Sequence, residues 1–179
     1  TSMPASRETP SGSPFRPGPF TLINTGLPIT AAPRVAFHPN GGLQVLFGTG
    51  KLLEEIDRAA PFVQQYVYGV WDKNRTATVA NSVTGSPPPL ASRTLITTGS
   101  RRTLSGAPVD YSAGQAGWRM ALTPTGAERV IADPDLEFGK FSFISVSAGS
   151  AVCAEGGSWL YNVDPITGLA PARSFDTNG

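Results

Sequence analysis

The sequence predicts an all-β fold of antiparallel sheets with one short helix. Three observations carry that expectation. Charged residues are only 15% of the 179-residue chain, too few for the Glu- and Lys-rich faces of a helical bundle. Glycine (20) and proline (17) are both abundant, as in folds built from many short strands broken by turns. Several segments alternate apolar and polar residues with the period of two that a half-buried strand requires.

Residues 1–19 (TSMPASRETPSGSPFRPGP) are rich in Pro, Ser and Gly with little to bury, and read as a linker or disordered segment. Order is expected from FTLIN at 20 onward, with 20–179 as one domain. Pro33 marks a strand start, and Arg34-Val35-Ala36-Phe37 alternates. Asn40-Gly41-Gly42 tolerates positive φ and supplies a hairpin turn into LQVLFG (43–48). KLLEEIDRAA (51–60) places Leu52, Leu53, Ile56 and Ala59-Ala60 at helical spacing before Pro61, which predicts one or two helical turns. QQYVYGVWD (64–72) is aromatic and β-branched, hence a strand. The polar, Pro-rich stretch from 73 predicts a loop-rich insertion at about 73–116, with only weak alternation in SRTLITTG (92–99). GWRMALTP (117–124) and AERVIADP (127–134) flank Pro124-Thr125-Gly126 and predict a second hairpin. GKFSFISVSAG (139–149) alternates through Phe141, Phe143 and Ser145. GSWLYNVDPITG (157–168) reads as a strand followed by an Asp-Pro-x-Thr-Gly turn.

The chemistry-bearing patterns fail one after another. Gly48-Thr49-Gly50-Lys51 follows a strand, as a phosphate loop does. A Walker loop, however, needs Gly where Val45 stands and Ser or Thr where Leu52 stands. The dinucleotide fingerprint fails at Leu53, where its third glycine belongs. Ser145-Val146-Ser147-Ala148-Gly149 lacks the first glycine of a nucleophile elbow. His38, the sole histidine, sits before Pro39 and reads as an exposed turn residue. Asp133, Asp135 and Glu137 alternate on one extended face, where a calcium or glycosidase pair is one reading and a solvated turn around Pro134 the favoured one. Arg93, Arg101 and Arg102 read as solubility rather than a partner's patch. Asn74-Arg75-Thr76 fits the glycosylation triplet, and Asp176-Thr177-Asn178-Gly179 resembles the opening of a calcium loop but ends before later ligands. The single Cys153 makes neither a disulfide nor a thiolate zinc site. The expectation is no catalytic, cofactor or metal residue. The net charge of +1 offers no pull toward nucleic acid, and no apolar run predicts membrane insertion. No basic head with an apolar core opens the chain, so it reads as mature or as a fragment of something longer.

Taken in order, several phrases resemble one family. They are PIT-x-x-P (28–33), FGTGK-x-L (47–53), YG-x-WD (68–72), GW-x-x-x-L (117–122), GAERV (126–130) and C-x-x-GGSWLY-x-x-D-x-x-TG (153–168). Their order and spacing resemble the C-terminal region of the PilC/PilY type IV pilus tip proteins, over roughly residues 27–170. The structural motif residues are Gly48, Thr49 and Gly50; Tyr68, Gly69, Trp71 and Asp72; Gly117 and Trp118; and Trp159, Tyr161, Asp164 and Gly168.

The resemblance implies part of a quinoprotein-like β-propeller. At ~40–50 residues per blade, about 150 ordered residues give about three blades. Aromatics such as Tyr66, Phe141 and Phe143 are then expected as blade-to-blade packing. The resemblance also implies a non-enzymatic protein that is exported through the periplasm to the pilus tip or outer cell surface. It would serve pilus assembly, twitching motility and adhesion. The implied partners are pilus minor subunits or other assembly proteins and a host or abiotic surface. The alternative is a propeller enzyme or carbohydrate-binding domain related to quinoproteins. Calcium loops regulate pilus retraction in that family. Their Asp-rich pattern has no match here, which places calcium in the full-length parent, upstream of this segment. Residues 1–19 and 73–116 show no match, and FSFISVSAG departs from the family's usual wording.

Overall fold

The computed structural model describes residues 21–73, 83, 89–123, 127–147 and 156–171. The linker at 1–19, the Pro124-Thr125-Gly126 turn, the Asn74 triplet, Cys153 and the terminal Asp176-x-Asn-Gly lie outside the described residues. The regular structure of the described residues is β apart from one 3₁₀ turn.

The predicted first hairpin is present. β1 (Arg34–Phe37) pairs antiparallel with β2 (Leu43–Gly48), in the register Arg34↔Leu46 to Phe37↔Leu43. Gly41 and Gly42 take φ of 84° and 78° in the connecting turn. A side chain at Gly42 would also strike the Asp72 carbonyl, so this turn requires glycine twice over. β3 (Tyr66–Asp72) pairs with β2, and β6 (Gly117–Ala121) with β3, completing a four-stranded antiparallel sheet. Four antiparallel strands make the unit of a propeller blade.

β4 (Ala91–Thr98) and β5 (Arg101–Ser105) form a hairpin within the span read as loop-rich. Ala91–Arg93 of β4 extend the sheet by pairing with β6 in parallel, the one parallel ladder among the described strands. The six-stranded order is therefore β1-β2-β3-β6-β4-β5. A second sheet holds β7 (Asp135–Glu137), β8 (Lys140–Ser147) and β9 (Gly157–Val163), all antiparallel.

One expectation is corrected and another narrowed. The second hairpin does not form: β6 pairs with β3 and β4, while Arg129 bridges Val146 of β8. β6 has an apolar inner face, Trp118 and Met120, and the core site between β3 and β4 buries it on both edges. The one or two helical turns expected over 51–60 are present at the lower bound. A single 3₁₀ turn, Glu55–Arg58, stands there with no buried residue, and Leu53 and Ile56 are exposed. So few residues give little return on the cost of helix nucleation. The Asp57 carboxylate instead draws the chain tight by accepting from the Leu53 and Glu54 N–H groups, both at 3.0 Å.

The main core lies between the two sheets. Leu46, Val67, Trp118 and Met120 from the first meet Phe141, Phe143, Tyr161 and Val163 from the second, with Leu122 and Val130 between. A smaller cluster of Phe47, Tyr68, Val70, Leu90 and Ala116 covers the other face of β2 and β3. These two strands are buried on both faces, and YVYGVWD accordingly reads as a near-continuous apolar run.

Candidate functional site

The Gly48-Thr49-Gly50-Lys51 corner is closed by packing and hydrogen bonds. Thr49 is fully buried. Its hydroxyl accepts from the Tyr66 N–H at 2.9 Å and donates to the Tyr66 carbonyl, which also takes the Thr49 N–H. The Gly50 N–H donates to Pro28, and the Gly50 carbonyl accepts from the Thr30 hydroxyl. A Cβ at Gly48 would lie 2.5 Å from that of Val130, and one at Gly50 would lie 2.6 Å from that of Arg129. The glycines let the 129–130 backbone press against the corner. The Thr49 and Gly50 N–H groups are spent internally, which leaves no row of free donors for a phosphate cradle. Lys51 pairs with Glu54 at 2.5 Å and faces Asp57 at 3.5 Å.

A cleft of about 430 Å³ opens beside this corner. Its walls include Leu27, Pro28, Ile56 and Pro61–Val63, and its polar groups are Lys51, Asp57, Gln65 and Arg129. Arg129 is 7% exposed, with Nε donating to the Ala127 carbonyl at 2.9 Å and Nη1 to the Lys51 carbonyl at 2.5 Å.

Trp118 organises the centre of the molecule. Its indole lies between Gly69 and Gly168, where added Cβ atoms would approach it to 2.4 and 2.3 Å. Gly117, at φ 130°, passes so close to the Gly69 carbonyl that no side chain fits. Trp118 Nε1 donates to the Pro165 carbonyl at 2.9 Å, Tyr111 Oη to Ile166 at 2.7 Å and Arg93 Nε to Thr167 at 2.7 Å. Three successive carbonyls of the Asp-Pro-Ile-Thr-Gly turn are thus held by three different elements. Asp164 closes the turn itself, accepting from the Ile166 and Thr167 N–H groups at 3.0 and 2.7 Å.

His38 is not the exposed turn residue expected. It is 5% exposed, stacked on Trp71 with centroids 4.3 Å apart and edge-on to Tyr111. Its Nδ1 accepts from the Asn40 N–H at 3.1 Å, while Nε2 is buried without a hydrogen-bond partner among the described residues. Burial holds its pKa below the ordinary value. Trp71 Nε1 donates to the Gly41 carbonyl. Burial likewise pushes the Tyr111 hydroxyl up to about 12.

The arginines are corrected too. Arg93 is 2% exposed, and the Arg102 side chain is 10% exposed; Arg101 alone of the three is a surface residue. Arg102 Nη1 forms a bifurcated pair with Glu128 at 2.7 and 2.8 Å, and Nη2 donates to Thr123. Glu128 also accepts from Tyr161 Oη at 2.7 Å, from the Ser145 hydroxyl and from the Thr123 N–H. Arg102 lies 4.0 Å over the Trp159 ring, and Tyr161 stacks on Phe143. Burial would raise the Glu128 pKa, but the bonds from Arg102, Ser145, Tyr161 and Thr123 together hold it below the ordinary value. A carboxylate so fully engaged has no lone pair to give a substrate.

Asp133 accepts from the Ala32 N–H at 2.8 Å, and Asp135 from its neighbour Leu136, while Asp135 and Glu137 are exposed on β7. These acids do not converge, and among the described residues no group of His, Cys, Asp and Glu is placed to hold a metal. Reading the residues for chemistry missed Tyr111 and the pairing of Arg102 with Glu128. Partners so far apart in sequence leave no local pattern, although GAERV carried Glu128 and Arg129 as words.

A family model described as the PilY1 beta-propeller domain matches residues 19–96. The type IV pilus biogenesis factor PilY1 homolog of Xylella fastidiosa is 34% identical over 155 residues, covering 80% of this chain and 10% of the relative. The type IV pilus biogenesis factor PilY1 of Pseudomonas aeruginosa is 32% identical over 166 residues, covering 78% and 14% respectively. The crystal structure of the P. aeruginosa PilY1 C-terminal domain superposes with a TM-score of 0.63 at 28% identity, over 80% of this chain and 32% of that one. The chain therefore spans a small part of the curated relatives it matches.

Proposed function

This chain belongs to the PilY1 β-propeller family, and from that membership we propose that it acts in type IV pilus biogenesis as part of a longer, exported protein. The observation that carries the reading is the coincidence of three likenesses, in family model, in sequence and in fold, on one blade-forming region. The proposed mode of action is non-enzymatic, through protein–protein contact with pilus minor subunits or other assembly proteins. The internal engagement of Glu128 and Asp164 supports that mode, because their carboxylates accept from the fold's own backbone and side chains. Placement at the pilus tip or outer surface, surface attachment and twitching motility belong to the same proposal, as does calcium bound elsewhere in the parent.

The test is deletion of 21–171 from the full-length parent, followed by co-purification of pilus minor subunits and by piliation and twitching assays. Loss of subunit capture together with loss of pili is expected. Undiminished capture and piliation by a stable deletion protein would overturn the proposal.

A further inference from the structure

The cleft beside the Gly-Thr-Gly-Lys corner carries an inference independent of the pilus reading. Its lining holds two cations, Lys51 and Arg129, and one carboxylate, Asp57. That carboxylate is already engaged. Its Oδ2 takes two backbone N–H groups, and its Oδ1 faces Lys51. Arg129 is more than nine-tenths buried, bonded only to carbonyl oxygens, and paired with no carboxylate among the described residues. A guanidinium withdrawn from water without a counter-ion is an unfavourable state that an incoming anion relieves. Burial lowers the Arg129 pKa, with Asp57 partly opposing, so the recess is felt by the cation as desolvated.

Two further features narrow the ligand. Gln65 Oε1 is buried without a hydrogen-bond partner among the described residues, on a side chain that lines the cleft. The oxygen is shielded as it stands, and a turn of this side chain offers it to an N–H donor in the cleft. Ile56 and Val63, at 72% and 66% exposure, stand on the wall with Phe62. Apolar walls with a few placed polar groups, in a volume of this size, are the general form of a small-ligand site.

We propose that this cleft binds the C-terminal residue of a peptide chain with an aliphatic side chain. The terminal carboxylate pairs with Arg129, the residue's amide N–H donates to Gln65 Oε1, and the side chain lies against Ile56, Phe62 and Val63. A free carboxylate, an N–H and an aliphatic group on one residue meet all three features of the recess, which a phosphate or a sugar does not.

The probe is N-acetyl-leucine titrated into the whole chain, followed by amide and methyl chemical-shift changes, with N-acetyl-leucinamide as the uncharged control. Shifts confined to 56–65 and 129, saturating at an affinity on the order of 1 mM, are expected for so small a ligand. The amide should bind at least about tenfold more weakly, having lost a charge-assisted pair. Gln65→Leu should weaken binding severalfold, and Val63→Asp should abolish it with the spectrum otherwise unchanged. Arg129→Gln also removes the ties to Lys51 and Ala127, so the two surface-lining variants keep the test independent of folding. Equal binding of acid and amide, shifts outside the cleft, or indifference to both variants would overturn the proposal.

Discussion

At the scale of single residues, the glycines around Trp118 are the least replaceable positions. Gly168 combines a φ of 65° with an indole 2.3 Å from any added Cβ. Gly168→Ala is expected to destabilise the fold by about 2–4 kcal/mol, from overpacking plus left-handed strain. Urea denaturation measures it. A loss below ~0.5 kcal/mol, the size of an ordinary surface substitution, would refute the sandwich. His38 makes a second residue-scale prediction. Its folded pKa is depressed by burial, so the unfolded chain binds its proton first as pH falls. Stability is full above the unfolded value of about 6.5 and declines below it, down to the folded pKa. His38→Gln should flatten that part of the pH–stability curve. An unchanged slope would show that His38 is not the group responsible.

Among elements, the Glu128 network joins β5, β8 and β9 to the loop after β6. Glu128→Gln should cost about 3–5 kcal/mol, because Arg102 is left buried without its charge partner. The double replacement Arg102→Met with Glu128→Leu should cost less than Glu128→Gln alone, since no buried charge remains. Thermal melts of the two variants test this, and a double replacement that costs as much as Glu128→Gln or more would contradict it. Glu128 also has its own pH window. Its pKa is depressed on folding, so its contribution is present above about pH 4.5 and is lost as pH falls through the folded value. The residues 51–60 illustrate a different lesson. Their helical spacing was legible, but no sheet face lies over Leu53 and Ile56 to reward a helix. Asp57 capped a tight turn instead.

For the molecule as a whole, the described surface leaves large apolar groups outside. Phe37 on β1 and Phe138 after β7 are 90% and 87% exposed, and Ile144 and Leu160 face each other across β8 and β9 on the outer side. Among the described strands, β1 and β9 are terminal in their sheets, and edge strands are places where further pairing starts. The isolated chain is therefore expected to self-associate with rising concentration in sedimentation velocity. Phe37→Glu with Leu160→Glu should reduce that association without lowering the melting temperature. Association unaffected by both changes would point to a different surface.

Most of the strands were legible because they depend on local pattern. The alternation of Arg34–Phe37 and Phe141–Ser145, the Asn-Gly-Gly turn and the aromatic run of β3 each specify extended chain within a few residues. The family phrases, taken in order, were legible for the same reason, since a glycine wedged against an indole must be written as glycine wherever it stands. Pairing was not legible. Nothing near 117–134 says that β6 joins β3 and β4 rather than the segment following it, because the choice rests on which surface buries Trp118 and Met120 on both sides. Burial of the polar side chains was not legible either. His38, Arg93 and Arg102 looked like surface residues until the rings and carbonyls around them, supplied from as far away as Thr167, took the place of water. The sequence by itself determined the β character, the turns and the kinship. The tertiary structure alone decided which strands meet and which polar groups lie buried, since both are settled by solvent exclusion between distant segments.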